Sequence, residues 1–425
     1  MVPALVAGAL VAQAGLASPA HAATVRYAVP GGSSANSCTS AAPCSIDKAI
    51  NLAAAGDEVI VASGSYNTGT TSLSNSQVAV NVHGVAGQPR PVITTSANYG
   101  LALFGAGAKV SDLTIDQTGG LYGLNVFASG VLVQRVEVHT SAPIACTAGI
   151  SGLARDLMCV TSAVNGVALD DSWGNGTFAL TLRNVTVIAT GAGSYGIRAD
   201  ANGDNTNTTN LDISARNVIA WGIAADIRST EVGIDSESDV LLTNSNYDKI
   251  EEGGGGNVTN VGSSSTNQTA FPVFADGVTY HQALGSPTID KGGSDSGIGT
   301  SDLDGNPRKI GTAVDIGVDE FDPTPPDVAF DHTPKHKTHK HKSFFTFHAS
   351  HTSTFTCIVD LRPALPCTSP FKVRFKKRGK HTVQVFARYA VGNVDPTPAS
   401  YTWKIKMKKP RRHHQHHHQH HHQHH

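Results

Sequence analysis

Five side chains in the middle of the chain have the types and spacing for acid–base chemistry on a polysaccharide: Asp170, Asp171, Asp200, Asp226 and Arg198. Alignment of the repeats described below on their glycine puts Asp170, Asp200 and Asp226 at one register, with Arg198 on the strand face of Asp200. Neighbouring coils of a solenoid lie ~4.8 Å apart. Such carboxylates would approach the ~5 Å separation of retaining glycosidases, or ~6.5–9.5 Å on alternate coils, as in inverting enzymes. With Ca²⁺ bound, Arg198 acting as a base would suit β-elimination by a lyase.

Three considerations weigh against catalysis on this face. Carboxylates stacked so closely resist ionisation unless a cation lies among them. The Gly-His-Gly and Arg-x-Lys phrases of polygalacturonases are absent from the repeats, and only Asp170-Asp171 resembles their paired aspartates. Aspartate is also common at turns. We therefore expect a face that binds glycan or ions, with a polysaccharide lyase or glycosidase as the alternative.

A second acidic cluster lies in "SDLDGNPRKIGTAVDIGVDEF", residues 301–321. Asp302 and Asp304 begin a D-x-D-G run of the kind that holds Ca²⁺ in oxygen-rich loops. We expect instead that Asp302, Asp304 and Arg308 are turn and cap residues, which close the last coil by side-chain-to-backbone hydrogen bonds and a salt bridge. The expected function requires no cofactor, and Ca²⁺ on this part of the chain is the alternative.

Histidine dominates the last thirteen residues, "HHQHHHQHHHQHH". Its imidazoles, among them His413, His414, His416, His417 and His418, would bind Zn²⁺, Ni²⁺ or Cu²⁺ loosely when neutral. The composition predicts a disordered tail over 409–425, with metal capture and low-complexity drift as its two interpretations.

An internal repeat must position the aspartates. A glycine between a variable and an aliphatic residue recurs at Gly100, Gly123, Gly149, Gly166, Gly196 and Gly222, in steps of 17 to 30 residues. Strand-like phrases with period-two alternation, such as "LTLRNVTVIAT", follow each glycine. Coils of this length with several short strands predict a parallel β-solenoid over about residues 56–270, because the blades of the alternative, a propeller, are longer.

The N-terminal end of the solenoid needs a cap, since its first strand edge would otherwise be unpaired. Ile46, Ala49, Ile50 and Ala53 lie on one face of a predicted amphipathic helix. We expect this helix to cap the solenoid and to precede its first strand, at residues 58–62.

The opening "YAVPGGSSANSCTS…IDKAINLAAAGDEVIVASGSYN" resembles that of secreted bacterial right-handed parallel β-helix proteins. "SPTIDKG", "SDLDGNPR" and "VDIGVDEF" resemble the closing segment of the choice-of-anchor Q family. Together with the repeats, this resemblance covers about residues 25–322. It implies an all-β chain in which a right-handed parallel β-helix, residues 23–322, ends before a variable surface anchor.

A proline-rich linker, residues 323–327, separates the β-helix from a second domain, 328–408. Short alternating phrases such as "KHTVQVFARYA" predict the strands of a β-sandwich. The series C-x-x-D, P-C-x-S-P, G-x-H and G-N-x-D-x-T-P resembles the Ig-like modules of secreted actinobacterial proteins. The resemblance implies a spacer or adhesion module rather than a catalyst.

This second domain is strongly basic. Residues 330–425 carry 18 Lys and Arg against three Asp and Glu, whereas the rest of the chain carries 14 against 30. We expect a polyanionic partner, a polysaccharide or another anionic cell-envelope polymer, and no sequence-specific contact with nucleic acid because no reading motif is present. A solvated face that only confers solubility is the alternative.

The chain is predicted to be exported. Residues 1–22 read as a signal peptide, with an apolar stretch and Ala20-His21-Ala22 as the cleavage pattern. Six cysteines form three local pairs, Cys38 with Cys44, Cys146 with Cys159, and Cys357 with Cys367, which favours disulfides outside the cytosol. We expect a monomer, secreted or at the bacterial cell surface, with no transmembrane segment in the mature chain.

Overall fold

A computed structural model describes residues 22–75, 78–149, 151–174, 176–203, 208–233, 235–260, 266–350, 353–389 and 395–406. The chain divides into two compact units, one comprising Met1–Pro272 and Pro287–Glu320, the other Val273–Ser286 and Phe321–His425. Within the described ranges no helix is long and apolar enough to cross a membrane.

The described part of the first unit is built almost entirely of strands. It contains the helix α1 (Ile46–Asn51) and the strands β1 (Val25–Ala28), β2 (Glu58–Val61), β3 (Ser65–Gly69), β4 (Leu73–Asn75), β5 (Asn81–Gly84), β6 (Val92–Thr95), β7 (Tyr99–Leu103), β8 (Lys109–Gln117), β9 (Tyr122–Val126), β10 (Ser129–Thr140), β11 (Ile144–Ala148), β12 (Ser151–Thr161), β13 (Val167–Asp170), β14 (Trp173–Gly174), β15 (Gly176–Ala189), β16 (Tyr195–Asn202), β17 (Thr209–Trp221), β18 (Ala225–Val232), β19 (Ser236–Thr243), β20 (Ile250–Gly253) and β21 (Asn257–Asn260).

These strands form two parallel sheets in which each strand pairs with its counterpart one coil away. The first sheet follows the order β1-β2-β5-β8-β10-β12-β15-β17-β19-β21, with β6 pairing β8 and β3. The second follows β20-β18-β16-β13-β11-β9-β7-β4, with β14 beside β16. Chain-ordered parallel pairing on both sides of one hydrophobic core is the architecture of a parallel β-helix, and the predicted fold class is confirmed.

The interior consists of stacked aliphatic side chains. Leu182 pairs in register with Ala215, and Val185 pairs with Val218, and all four are buried. Because successive side chains of a strand point to opposite faces, the period-two pattern of the sequence delivers every second residue to this core.

A ladder of left-handed residues forms one corner of the coils. Asp112, Arg135, Asp156, Asn184, Asn217 and Asn244 have φ between 47° and 58°, and those on the long strands occupy equivalent positions. Asparagine and aspartate tolerate this backbone region better than other non-glycine residues. Each therefore bends its strand, or the strand's end, at the same place in every coil. We call these six residues the corner ladder.

The side chains of the corner ladder bond to one another along the stack. Arg135 donates two hydrogen bonds to Asp112, at 2.6 and 2.9 Å. Asn184 Nδ2 donates to Asp156 Oδ1 at 3.1 Å, and Asn217 Nδ2 donates to Asn184 Oδ1 at 2.9 Å. The side chains of Asp156, Asn184 and Asn217 are fully buried, so each of the two bonds between them also satisfies polar groups that water cannot reach.

Residues 287–320, the closing segment, lie along the corner ladder. The Lys291 carbonyl accepts from Asn244, Gly293 exchanges two hydrogen bonds with Asn217, and the Ile298 carbonyl accepts from Asn184. Gly293 permits this approach, because a Cβ there would lie 2.4 Å from Asn244 Oδ1.

The closing segment was expected to close the last coil, and this part of the prediction is wrong. Its hydrogen bonds and salt bridge exist, but Arg308 Nη2 reaches Asp156 Oδ1 at 2.6 Å on β12, in the middle of the stack. Arg90, which precedes β6, donates to the Leu303 carbonyl. The segment therefore fastens several coils to one another along their side.

The N-terminal end differs from the prediction in one respect. Ile46, Ala49 and Ile50 of α1 are buried as expected, and Ala53 is buried just beyond the helix. The prediction that the first strand follows this helix is wrong, because β1 precedes α1 and pairs with β2. Its short pattern is apolar only in part, which gave no clear strand signal.

The described part of the second unit contains eight strands: β22 (Val328–His332), β23 (Lys337–Thr338), β24 (Lys342–Ala349), β25 (Ser353–Val359), β26 (Leu365–Cys367), β27 (Phe371–Arg374), β28 (Gly379–Tyr389) and β29 (Ala399–Ile405). They form two sheets, β22-β24-β27 and β23-β29-β28-β25-β26, mainly antiparallel. Buried Phe345, Phe375, Val383 and Trp403 belong to its core. The Ig-like assignment of this unit stays a prediction.

All three predicted cysteine pairs are disulfides: Cys38–Cys44, Cys146–Cys159 and Cys357–Cys367. The second pair joins β11 to β12, and hence the two sheets of the β-helix. Loops this short correspond to about 2–3 kcal/mol of stabilisation each by chain entropy.

We expect Asn217→Ala to lower the free energy of unfolding by about 2–4 kcal/mol, because it leaves buried partners unsatisfied and puts alanine at positive φ. Chemical denaturation followed by circular dichroism measures this. Asn210→Ala, on the same strand but only half-buried, is the matched control and should change stability by less than about 0.5 kcal/mol. Equal effects of the two substitutions would contradict the role of the corner ladder.

Candidate functional site

The outward face of the second sheet carries a column of acidic and basic side chains. Asp170 on β13 pairs in register with Arg198 on β16, which pairs with Arg228 on β18, which pairs with Glu251 on β20. Asp200 lies two residues beyond Arg198 on the same face. We call these five residues the charge column.

Ion pairs connect the whole charge column. Arg198 donates to both oxygens of Asp170, at 2.9 and 3.0 Å. Arg228 donates to Asp200 at 2.9 Å and to Glu251 at 2.9 Å. Each carboxylate therefore faces a guanidinium group on a neighbouring coil. The positive charges of Arg198 and Arg228 offset the repulsion expected among stacked aspartates.

The prediction that Asp170, Asp200 and Asp226 share one register is wrong. Tyr195 pairs with Ala225, so the glycine of Trp221-Gly222-Ile223 precedes β18 instead of lying in it. Alignment on glycine is therefore shifted by several residues between these coils. Turns can absorb such differences in length, whereas the strand ladder cannot.

Asp226 and Asp171 lie apart from the charge column. Asp226 is 5% exposed, and its oxygens accept hydrogen bonds from the backbone amides of Gly222, Asp248 and Lys249. The side chain of Asp171 is fully buried, and its backbone amide donates to the Arg198 carbonyl. Asp226 thus organises a turn, and Asp171 lies in the interior.

The environment of Arg198 in the charge column does not suit the role of a base that was predicted for it. Burial alone would lower the pKa of Arg198, but its hydrogen bond and proximity to Asp170, with Asp200 adding to them, raise the pKa above its ordinary value. A guanidinium held in this way stays protonated and donates hydrogen bonds. The arrangement can hold a polar ligand through hydrogen bonds more readily than it can abstract a proton.

Aromatic rings continue this face toward the N-terminal coils. The rings of Tyr99 and Tyr122 stack with centroids 5.7 Å apart, and Phe104 lies 6.3 Å from Tyr99. Phe127, 40% exposed, lies 6.5 Å from Phe104. We call these four residues the aromatic cluster.

The aromatic cluster and the charge column adjoin. Burial raises the pKa of Tyr122, and the nearby Asp170 carboxylate raises it further. On the next coils the guanidinium of Arg228 lies 5.3 Å from the centre of the Tyr195 ring and donates to its hydroxyl at 3.3 Å. The face therefore offers ring surface, hydroxyl groups and paired charges in one strip.

Sequence reasoning missed the aromatic cluster although the signal was present. Tyrosine precedes the repeat glycine at Tyr99, Tyr122 and Tyr195, and the first two are in register. These phrases mark the repeat, but each tyrosine is also a half-exposed residue on the outward face.

The second predicted site, in the closing segment, is a cluster of buried turn residues. Asp302 is fully buried and accepts from the Asn306 amide at 2.8 Å and from the Glu320 amide at 3.3 Å. Asp304 lies 3.3 Å from Arg90. These contacts agree with turn and cap roles, and Ca²⁺ at this cluster stays a prediction. The tail with His413, His414, His416, His417 and His418, and residues 1–21 of the signal peptide, lie outside the described residues.

No family model, curated protein or solved structure matches this chain.

The closing segment predicts a pH-dependent stability. Burial raises the pKa of Asp302 to about 7, aided by Asp319 and Asp304, and burial with Asp315 raises the pKa of Glu320 to about 8. Both groups bind protons more tightly when folded, so their contribution to stability is present below pH ~4 and is lost as pH rises through these values. We expect the free energy of unfolding to fall between pH 5 and pH 8, as measured by urea denaturation.

Glu320→Gln removes one of these titrations and should flatten that decline. The buried Asp57 does not contribute to the decline, because it is ionised throughout this pH range. Its pKa lies well below its ordinary value despite burial, since it accepts hydrogen bonds from the Ala54 and Thr24 amides and from Arg26. A stability that rises from pH 5 to pH 8 would contradict the assignment.

Proposed function

We propose that this protein is a secreted or cell-surface β-helix protein that binds glycan without cutting it, and that its basic second unit holds a polyanionic envelope polymer. The observation that carries the proposal is the strip formed by the aromatic cluster and the charge column. It combines exposed ring surface with donors and acceptors fixed on rigid strands.

Aromatic side chains support glycan binding on physical grounds. Tyrosine and phenylalanine offer large apolar surfaces at little cost in side-chain entropy, and tyrosine adds a hydroxyl group. Sugars present apolar C–H faces together with many hydroxyl groups. Binding sites that join apolar walls to a few fixed polar groups match this combination.

The pairing of charges supports binding over catalysis. General acid–base catalysis on a glycoside needs two carboxyl groups of different protonation, one acid and one base or nucleophile. Here Asp170 and Asp200 each accept hydrogen bonds from an arginine, so both carboxyl groups are already engaged in ion pairs. A polysaccharide lyase or glycosidase is therefore the less favoured function.

Long, repetitive ligands fit a solenoid. Its coils repeat at strand spacing, so a polymer can contact the same kind of side chain on successive coils. Several weak contacts along one chain sum to useful affinity. The basic second unit would add a further point of attachment for an anionic polymer.

We expect Tyr122→Ala to weaken binding to a glycan ligand about tenfold, because a single well-packed aromatic residue carries a large share of such energy. The measurement is affinity electrophoresis in gels containing acidic or neutral polysaccharides. Phe271→Ala is the matched control, since Phe271 is a 53% exposed aromatic residue outside the aromatic cluster. Equal retardation of Tyr122→Ala and the unmodified protein on every polysaccharide that binds would contradict the proposal.

A further inference from the structure

The outward face of β24 and β27 carries the cations Lys342, Lys372 and Arg374, for which no ion-pair partner lies among the described residues. In the antiparallel pairing Lys342 lies opposite Arg374, and Phe344 lies opposite Lys372. Like charges placed directly opposite each other destabilise a sheet. The face nevertheless carries Lys372 and Arg374 as exposed side chains of β27, which is an edge strand of this sheet.

The acidic side chains of residues 330–425, which include this face, are engaged elsewhere. Asp331 pairs with His348, Asp360 pairs with His381, and Asp395 accepts from the Thr397 amide. These are the three acidic residues of 330–425. Within the residues that the structure describes, none of them forms an ion pair with Lys342, Lys372 or Arg374.

Phe344 divides this face into two concave surfaces. One, of about 420 Å³, is lined by Lys342, Ser343, Phe344, Lys372, Val373 and Arg374. The other, of about 590 Å³, shares Lys342, Ser343 and Phe344 and adds Lys335, Lys340 and His332. Among the described residues, none that lines either surface is acidic.

The aromatic ring at the centre is exposed and supported. Phe344 is 47% exposed, whereas the next residue, Phe345, points into the core and is fully buried. The His332 ring stacks on Phe344 with centroids 4.3 Å apart and planes 12° apart. The ring therefore lies among five cationic side chains, those of Lys335, Lys340, Lys342, Lys372 and Arg374. A site for phosphate or sulfate alone would not require an exposed apolar ring.

We infer that this face, defined by Phe344, Lys342, Lys372 and Arg374, binds an acidic polysaccharide. The ring face of a sugar would pack on Phe344 while its carboxylates meet the lysine and arginine groups. The inference rests on the proposed function and deepens it, because it names the surface of the second unit and the chemical class of its ligand.

Single-stranded nucleic acid is the competing occupant, since its bases also stack on aromatic rings beside basic side chains. The three disulfides favour the polysaccharide, because such bonds persist in oxidising compartments outside the cytosol. The experiment below distinguishes the two.

The test measures binding of the full chain to polygalacturonate, to inorganic polyphosphate and to a single-stranded oligonucleotide, all over the same series of ionic strengths. We expect the double variant Lys342→Gln/Arg374→Gln to bind polygalacturonate about tenfold more weakly and with a shallower salt dependence. Phe344→Leu, which keeps an apolar side chain without a flat ring, should weaken polygalacturonate binding about fivefold and leave polyphosphate binding unchanged.

Two controls keep the result interpretable. Arg388→Gln/Lys404→Gln removes two exposed charges from the other sheet and should retain most of the affinity. Phe344→Tyr restores the ring and should bind as the unmodified protein does, which separates loss of the ring from loss of fold. Thermal unfolding of each variant checks that the fold is intact.

Three outcomes would overturn the inference: unchanged polygalacturonate binding in both test variants, equal weakening in the control double variant, or tighter, Phe344-dependent binding of the oligonucleotide. If Tyr122→Ala weakens polysaccharide binding while the Phe344 and Lys342 variants do not, glycan binding by the first unit stands and this inference fails. If only the Phe344 and Lys342 variants weaken it, the second unit is the binding surface and the strip on the first unit is not.

Discussion

Parallel strands that pair coil after coil hold successive coils roughly 4.8 Å apart, and this spacing places equivalent residues in columns. A residue type that suits one coil must therefore also suit its neighbours above and below. Inside the β-helix the columns are aliphatic. At the corner they consist of Asp, Asn and one Arg in the left-handed region, joined by side-chain hydrogen bonds. The same residues of the corner ladder thus bend the strands through their backbone and link the coils through their side chains.

The closing segment depends on that corner. Its carbonyl groups and amides bond to Asn217 and Asn184, and Arg308 neutralises Asp156 where the column would otherwise bury an isolated carboxylate. A buried charge without a partner is strongly destabilising. The closing segment is therefore part of the stability of the middle coils, and it is not merely a lid on the end.

The requirement that a residue suit its neighbours on adjacent coils also shapes the candidate site. Aspartates stacked alone would repel one another, and the charge column avoids this by alternating Asp170 and Asp200 with Arg198 and Arg228. These ion pairs hold Asp170 and Asp200 in place, and their carboxylate oxygens are acceptors for the hydroxyl groups of a ligand. The geometry that makes the face stable also directs it toward binding.

Much of the fold was predictable, because period-two alternation and recurring glycines identify strands and coils wherever they occur. The register was not, since Gly222 lies in a turn while Gly196 lies in β16, and only strand pairing reveals the difference. The corner ladder had a signal in the polar residue between aliphatics, as in "LRNVTV" and "ARNVIA". The course of the closing segment had none, because contacts such as Arg308 with Asp156 span 152 residues.

The most direct measurement is to mix the protein with an acidic polysaccharide, with and without Ca²⁺, and to follow both components by size-exclusion chromatography with light scattering. We predict that the protein co-elutes with the polysaccharide and that the chain length of the polysaccharide does not change. Progressive shortening of the polysaccharide that is lost in Asp200→Asn would contradict the account and identify the charge column as a catalytic site.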